Sequence, residues 1–274
     1  MKRLKGFAES VYMLGDWLVP FLRHENTVNY IRKVERPRRM SILANGPSLK
    51  SVDLSRLEGS DFCTVNFSPL SDLFFTVRPC CHVLIDTKFF TVPQDALIGR
   101  MNAVDWDLDL FVPYRDRKPA EERYGKNPHV KVVPVHCVGI PDTIAWKKTA
   151  YRLFRKGWAM PIPQNVLVAA IYCMVNAGYR QIELFGADHT WISQMAVDDR
   201  NRLFLKDEHF YDKQAVSGRP ILCEDGSPST LSFELRLQAN AFGAYEMLQG
   251  YAGYLGDVSI INRTQGSFID AFPR

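Results

Sequence analysis

The sequence predicts an α/β chain of Rossmann-like form, a mostly parallel sheet with helices on both faces. It adds to this a mobile lid and an N-terminal amphipathic helix. Three observations carry the prediction. Short apolar runs recur along the chain and stop at turns rich in Gly, Asn and Asp. The first run, MSILA at 40–44, ends in Asn45-Gly46-Pro47-Ser48, the strand–turn–helix opening common in nucleotide-binding sheets. The stretch from 165 to 188 reads as buried helix, Gly178, strand IELF and then Gly186-Ala187-Asp188.

The arm comes first. Leu4, Phe7, Val11, Leu14, Leu18 and Phe21 recur at helical spacing, and Pro20 ends the pattern. Residues 1–39 carry nine Lys or Arg against four acids, net +5 within a chain of net +4, so the remaining body is close to neutral. That distribution argues against a general nucleic-acid binder, which is basic over its working face. It divides the chain into a basic arm at 1–39 and a body at 40–274. The stripe suits either packing on the body or a second subunit, giving a homo-oligomer, or peripheral contact with an anionic membrane.

In the body, 61–66 (DFCTVN), 81–86 (CHVLID), 108–112 and 130–135 follow as strand candidates. NVLVAAIYCMVNA at 165–177 is apolar nearly all round and so reads as a buried helix. The segment 191–219 is polar with few periodic cues and reads as a long loop or lid. A helix at 233–255, a last strand at 258–262 and a short terminal helix at 266–271 complete the chain.

No apolar run is long enough to span a bilayer. The six cysteines form no CxxC pair and no metal spacing, which points to a reducing, cytoplasmic setting with a peripheral place at the inner membrane face as the alternative. GxGxxG, GxxxxGK[ST] and GxSxG are absent. Asp107-Leu108-Asp109 is a DxD, a weak metal candidate because three-residue matches are frequent.

Ligands of open parallel sheets bind beyond the carboxyl ends of the strands. The residues there are Asn45, Gly46, Pro47 and Ser48, then Asn66, then Asp86, then Asp188 and His189. Amides and carboxylates suit ribose hydroxyls and a base edge, and Gly46 with the helix start suits a phosphate. Each is also an ordinary turn or cap residue. His209, in Glu208-His209-Phe210-Tyr211-Asp212, is a candidate general base, with His189 second.

The stretch ILANGPSLKSVDLSRL at 42–57 resembles the opening of bacterial sialyltransferases of glycosyltransferase family 42. NVLVAAIYCMVNAGYRQIELFGADHTW at 165–191 is similar to their buried helix, strand and GxD segment, and NRTQGSFIDAF at 262–272 is loosely similar to their closing element. The resemblance extends to the family of domain of unknown function 115, whose members are similar to 6-hydroxymethylpterin diphosphokinase. It does not cover 90–160.

The sialyltransferase resemblance implies inverting transfer from a nucleotide-activated donor, a CMP-linked acidic sugar, to a surface-glycan or glycolipid acceptor, with no metal or other cofactor. It implies that Asn45, Gly46 and Ser48 hold the donor's phosphate and ribose and that Asn66 faces the nucleotide. Asp86 stands where the family has Asn, and Gln164 and Asn165 stand near its donor-contacting pair. Thr190 stands where a phosphate-contacting tyrosine is expected, with Tyr211 a substitute. His209 matches the segment of the catalytic base, and Gly186 with Asp188 belongs to the GxD segment. Pyrophosphoryl transfer from ATP to a pterin alcohol and a non-catalytic nucleotide- or glycan-binding subunit are the alternatives.

Overall fold

The computed structural model describes residues 28–37, 39–205, 219–223 and 226–274. The amphipathic stripe from Leu4 to Phe21, the candidate base His209 and Tyr211 lie outside the described residues.

Seven strands form one sheet: β1 (Met40–Leu43), β2 (Asp61–Val65), β3 (Cys81–Val83), β4 (Leu108–Pro113), β5 (Val130–Val135), β8 (Gln181–Phe185) and β12 (Ser259–Asn262). Their order is β12-β8-β1-β2-β3-β4-β5, and every pairing in it is parallel. β1 is an inner strand, third in that order, with Met40 opposite Asp61 on one side and Ile182 on the other. This is an α/β Rossmann-like fold, as the apolar runs predicted.

The strands alternate between two cores, as a period-2 backbone requires. Met40, Ile42 and Ala44 of the β1 segment join Cys63, Val65, Ile182 and Leu184 in the larger core. Leu43 and Phe185 point the other way, with Leu49 and Leu57. Leu108, Leu110 and Val112 of β4 also leave the larger core and pack with Leu97, Met101, Ala120 and Tyr124.

Eight described α-helices surround the sheet: α1 (Asp72–Val77), α2 (Lys88–Thr91), α3 (Asp95–Asn102), α4 (Arg117–Tyr124), α5 (Lys147–Arg155), α6 (Val166–Ala177), α7 (Trp191–Gln194) and α8 (Leu231–Leu255). α6 lies across β1, β2, β3 and β8 and is covered in turn by α8, against which α5 also packs. α6 ends at Gly178 as its sequence predicts, but it starts one residue late, with Asn165 as its N-cap instead of its first residue. The Asn165 Oδ1 accepts from the N–H groups of Leu167 and Val168, and Gly178 closes the helix at φ 103°. Between α5 and its neighbours run the two-residue strands β6 (Gly139–Ile140) and β7 (Met160–Pro161).

Three expectations change. The lid segment is not a plain loop: α7 is followed by β9 (Met195–Val197), β10 (Leu203–Leu205) and β11 (Arg219–Pro220), which form a small antiparallel sheet. Residues 266–271 are a turn, not a helix, because the Asn262 amide donates to Ser267 Oγ, and Ser267 Oγ in turn accepts from the Ile269 N–H. Side chains that satisfy the backbone locally compete with helix formation. The DxD sits at the amino end of β4, away from the carboxyl ends. There Asp109 lies 3.8 Å from Lys131 and Asp107 lies 3.5 Å from His129. Among the described residues no cluster of His, Cys, Asp or Glu is placed to hold a metal, and no helix is long and apolar enough to cross a membrane.

Candidate functional site

The strand order reverses between β1 and β8, and a cleft of about 680 Å³ opens beyond the carboxyl ends of β1, β2, β3 and β8. Eleven of the fourteen candidate residues line it: Asn45, Gly46, Pro47, Asn66, Asp86, Gln164, Asn165, Gly186, Asp188, His189 and Thr190. Ser48 does not. It faces a second cavity of about 640 Å³ behind the β1 turn, on the side of Phe185 and Leu57. The other two candidates, His209 and Tyr211, are the ones outside the described residues.

The β1 turn is held differently from the expectation that it grips a phosphate. Ser48 donates its hydroxyl to Asp188 Oδ2 at 2.7 Å and its N–H to Asp188 Oδ1 at 3.3 Å. Gly46 N–H donates to the Gly186 carbonyl at 2.8 Å, and Leu49 N–H donates to Gly46 O. The donors assigned to a ligand phosphate are therefore taken by the protein, with the Asp188 carboxylate as their internal anion. Asp188 is a loop anchor, not a free acid or base.

Gly46 is required by this approach of two loops. A Cβ there would overlap the Asp188 carboxylate and lie 2.5 Å from the Gly186 carbonyl oxygen. Gly186 itself sits at φ +66°, where a Cβ would lie 2.7 Å from Ala44 O. Asn45 is also committed. Its amide donates to Val65 O at 3.1 Å, and its Oδ1 accepts from Ser68 Oγ at 2.8 Å, stitching the ends of β1 and β2 together.

The opposite wall is unsatisfied. Four buried side-chain polar atoms among the described residues have no hydrogen-bond partner, and three of them belong to residues of this cleft: Asn66 Oδ1, Asn165 Nδ2 and Gln194 Oε1. Buried polar atoms are rarely left unpaired, because each costs roughly 1–3 kcal/mol. Asn66 is further constrained, at φ 51° in the left-handed region. The orientation of Asn165 is unambiguous: its Oδ1 accepts two helix N–H groups and the Tyr245 hydroxyl, so Nδ2 is the atom left over.

His189 is buried at the cleft wall, also in the left-handed region at φ 51°. Its ring packs against Trp191 at a tilt of 49° with centroids 4.2 Å apart, and its Nε2 lies 3.1 Å from Tyr245 Oη. Burial pushes its pKa down to about 3, so the imidazole is neutral at physiological pH and a poor proton acceptor. Burial likewise pushes the Tyr245 phenol well up. Asn165, Tyr245 and His189 form one neutral hydrogen-bonded chain.

Asp86 Oδ1 accepts the Lys88 N–H at 2.9 Å, so part of its role is to start α2. Thr190 Oγ1 accepts from Gln194 Nε2 at 3.1 Å. Gln194, Trp191 and Tyr245 were not anticipated. Gln194 and Trp191 lay in the segment read as loop, and Tyr245 lies on α8, far in sequence from every strand end. Lys88, which follows the third strand end, lines the cleft with Asp86.

No family model matches the chain, and no curated protein sequence matches it. Among solved structures, the sialyltransferase CstII from Campylobacter jejuni, in complex with the substrate analogue CMP-3FNeuAc, superposes with a TM-score of 0.45 at 13% identity. The match covers 86% of each chain. The sialyltransferase CST-II in complex with a trisaccharide acceptor and CMP gives 0.45 at 14%, over 86% of this chain and 85% of that one. The MAf glycosyltransferase from Magnetospirillum magneticum AMB-1 gives 0.43 at 14% identity, over 89% of this chain and 35% of that one.

Proposed function

We propose that the chain is an inverting glycosyltransferase that takes a sugar from a nucleotide-activated donor, a CMP-linked acidic sugar, and passes it to a hydroxyl of a surface glycan or glycolipid. The observation that carries the reading is the trio of unpaired buried atoms, Asn66 Oδ1, Asn165 Nδ2 and Gln194 Oε1, around one cleft at the reversal of strand order. Two acceptors and one donor call for a ligand that offers hydroxyls or an amine on one side and an anionic or carbonyl oxygen on the other, as a nucleotide does. The resemblance of 42–57 and 165–191 to the sialyltransferases supports the choice of donor.

In this reading the acceptor hydroxyl loses its proton to His209 as its oxygen attacks the anomeric carbon. The bond from that carbon to the nucleotide phosphate breaks, and the electron pair leaves with the phosphate. Lys88 and Asn165 Nδ2 replace the β1 turn as the groups that stabilise the leaving charge. Ser48 and Asp188 hold the turn in place. The work is done on the cytoplasmic side, close to lipid-linked acceptors, and without a metal.

Thermal shift with CMP, UDP, GDP and ATP, each with and without Mg²⁺, tests the donor. Stabilisation by CMP without metal is the expected result. Preference for ATP with Mg²⁺ would instead assign the pterin pyrophosphokinase. Binding of CMP with no transfer to any acceptor, and no loss in His209→Ala, would leave a binding subunit.

A further inference from the structure

A surface remote from the cleft chemistry carries its own charge pattern. α5 buries Ala150, Tyr151 and Phe154 against the core, and its remaining surface presents Lys147, Lys148, Arg152 and Arg155, with Lys156 at its end. No acid lies between Ala145 and Gly157. Among the described residues none of these five cations forms an ion pair, and only Lys156 has a partner, the Trp158 ring at 4.3 Å. Trp146, at the head of the helix, is 47% exposed.

The basic surface does not end with the helix. Arg155 and Arg180 both lie close enough to the Tyr251 hydroxyl to act on it electrostatically, and Lys33 is in turn under the field of Arg180. Two acids lie in this group: Asp257 pairs with Arg180 at 2.8 Å, and Glu35 is exposed on the segment that carries Lys33. The described chain begins at the same place. Asn29 packs where a side chain on Gly157 would be, and Val28 O accepts from His136. The segment 28–37 therefore lies beside the foot of α5.

We propose that the outer face of α5, with the segment 28–37 beside it, docks flat on an anionic membrane surface. The helix's apolar side chains, Ala150, Tyr151, Leu153 and Phe154, all turn to the core, so the face offers charge rather than an apolar row for a peptide. Unpaired, spread-out cations with an exposed Trp at the rim match a plane of anionic headgroups, where Lys and Arg stems lie along the interface and Trp settles at headgroup depth. Nothing in this proposal depends on the reaction assigned to the cleft.

The full chain is sedimented with vesicles of phosphatidylcholine alone and of phosphatidylcholine with phosphatidylglycerol. Binding is expected only to the second, and it should weaken with salt. The triple variant Lys148→Gln/Arg152→Gln/Arg155→Gln should lower partitioning on the order of a hundredfold, at about fivefold per cation. Undiminished partitioning by a triple variant with an unchanged melting curve overturns the proposal, as does equal binding to neutral vesicles, or retention on RNA with no binding to vesicles. Tryptophan emission gives an independent reading. A blue shift on anionic vesicles that shrinks in Trp146→Phe supports the docking face, and a shift that the substitution leaves at its full wild-type size overturns it.

Discussion

Ser48 and Asp188, 140 residues apart in sequence, are joined by two hydrogen bonds from the same residue to the two oxygens of one carboxylate. The pair bridges the loops after β1 and β8, on either side of the point where the sheet's strand order reverses. The turn that would otherwise present free N–H groups to a ligand is thereby neutralised from within. Charge for a leaving group must then come from the other wall of the cleft.

The first prediction follows from that pairing. Asp188→Ala should lower stability by roughly 1–3 kcal/mol, because it leaves the Ser48 N–H and hydroxyl without their acceptor. Gly46→Ala should cost a similar amount, about 1–3 kcal/mol, because the added methyl overlaps the same carboxylate. Urea midpoints of the two variants and the double variant check this, and the double variant should lose less than the sum. A variant at Asp188 with wild-type stability and no activity would instead make the carboxylate catalytic.

Asn165 offers a separation of fold from function within one side chain. Asn165→Asp keeps the oxygen that caps α6 and removes the Nδ2 donor. Stability should stay within about 0.5 kcal/mol, aided by a carboxylate at a helix N-terminus. Affinity for the nucleotide should fall on the order of tenfold, the cost of about one lost hydrogen bond to a charged group. Asn165→Ala should lose the cap as well, about 1 kcal/mol. Calorimetric unfolding beside ligand titration distinguishes the two effects.

Asn66 gives the opposite balance. It holds a left-handed backbone and a buried oxygen with no partner. Asn66→Gly fits the backbone and removes the orphan, so the ligand-free protein should be as stable as wild type or up to about 1 kcal/mol more stable. The same variant should bind nucleotide more weakly. Asn66→Ala, which keeps the strain and loses the amide, should be less stable than the glycine variant by about 1 kcal/mol. Melting temperatures with and without nucleotide test all three statements.

Much of this site was legible because a parallel sheet gathers its strand ends in one place. Asn45, Asn66, Asp86 and Asp188 were found by position alone, and all four line the cleft. Their tasks were not legible. Asn45 turns into the β1–β2 seam and Asp188 into the β1 turn, and those partners lie 20 and 140 residues away. In the fold, α6 matches its apolar run because it is buried on nearly every side, and β5, an edge strand with Lys131 exposed, matches because four of its six residues are Val. The helices α1 to α4 have four to eight residues each, too short for a 3.6-residue period to stand out. β9 and β10 have three residues each and are only partly buried, so the segment around them read as loop.

The last prediction concerns acid. His82 is fully buried under the cleft floor, its Nε2 3.1 Å from the Asn66 carbonyl and its Nδ1 2.8 Å from Thr64 Oγ1. A carbonyl can only accept, so Nε2 carries the proton and Nδ1 accepts from the threonine hydroxyl. Burial holds the pKa of His82 at about 3, and that of His189 also at about 3, against an ordinary 6.5. Between those values the unfolded chain binds more protons than the folded one. Stability is therefore full above pH 6.5 and falls as the pH drops towards 3. From pH ~7 to pH ~5 each imidazole should remove about 2 kcal/mol. His82→Gln, which can still hydrogen-bond at both ends but does not titrate, should reduce that loss by about half, and His189→Gln should do the same. Denaturant midpoints at the two pH values decide it. A single-variant slope equal to that of wild type would place the acid sensitivity elsewhere in the fold.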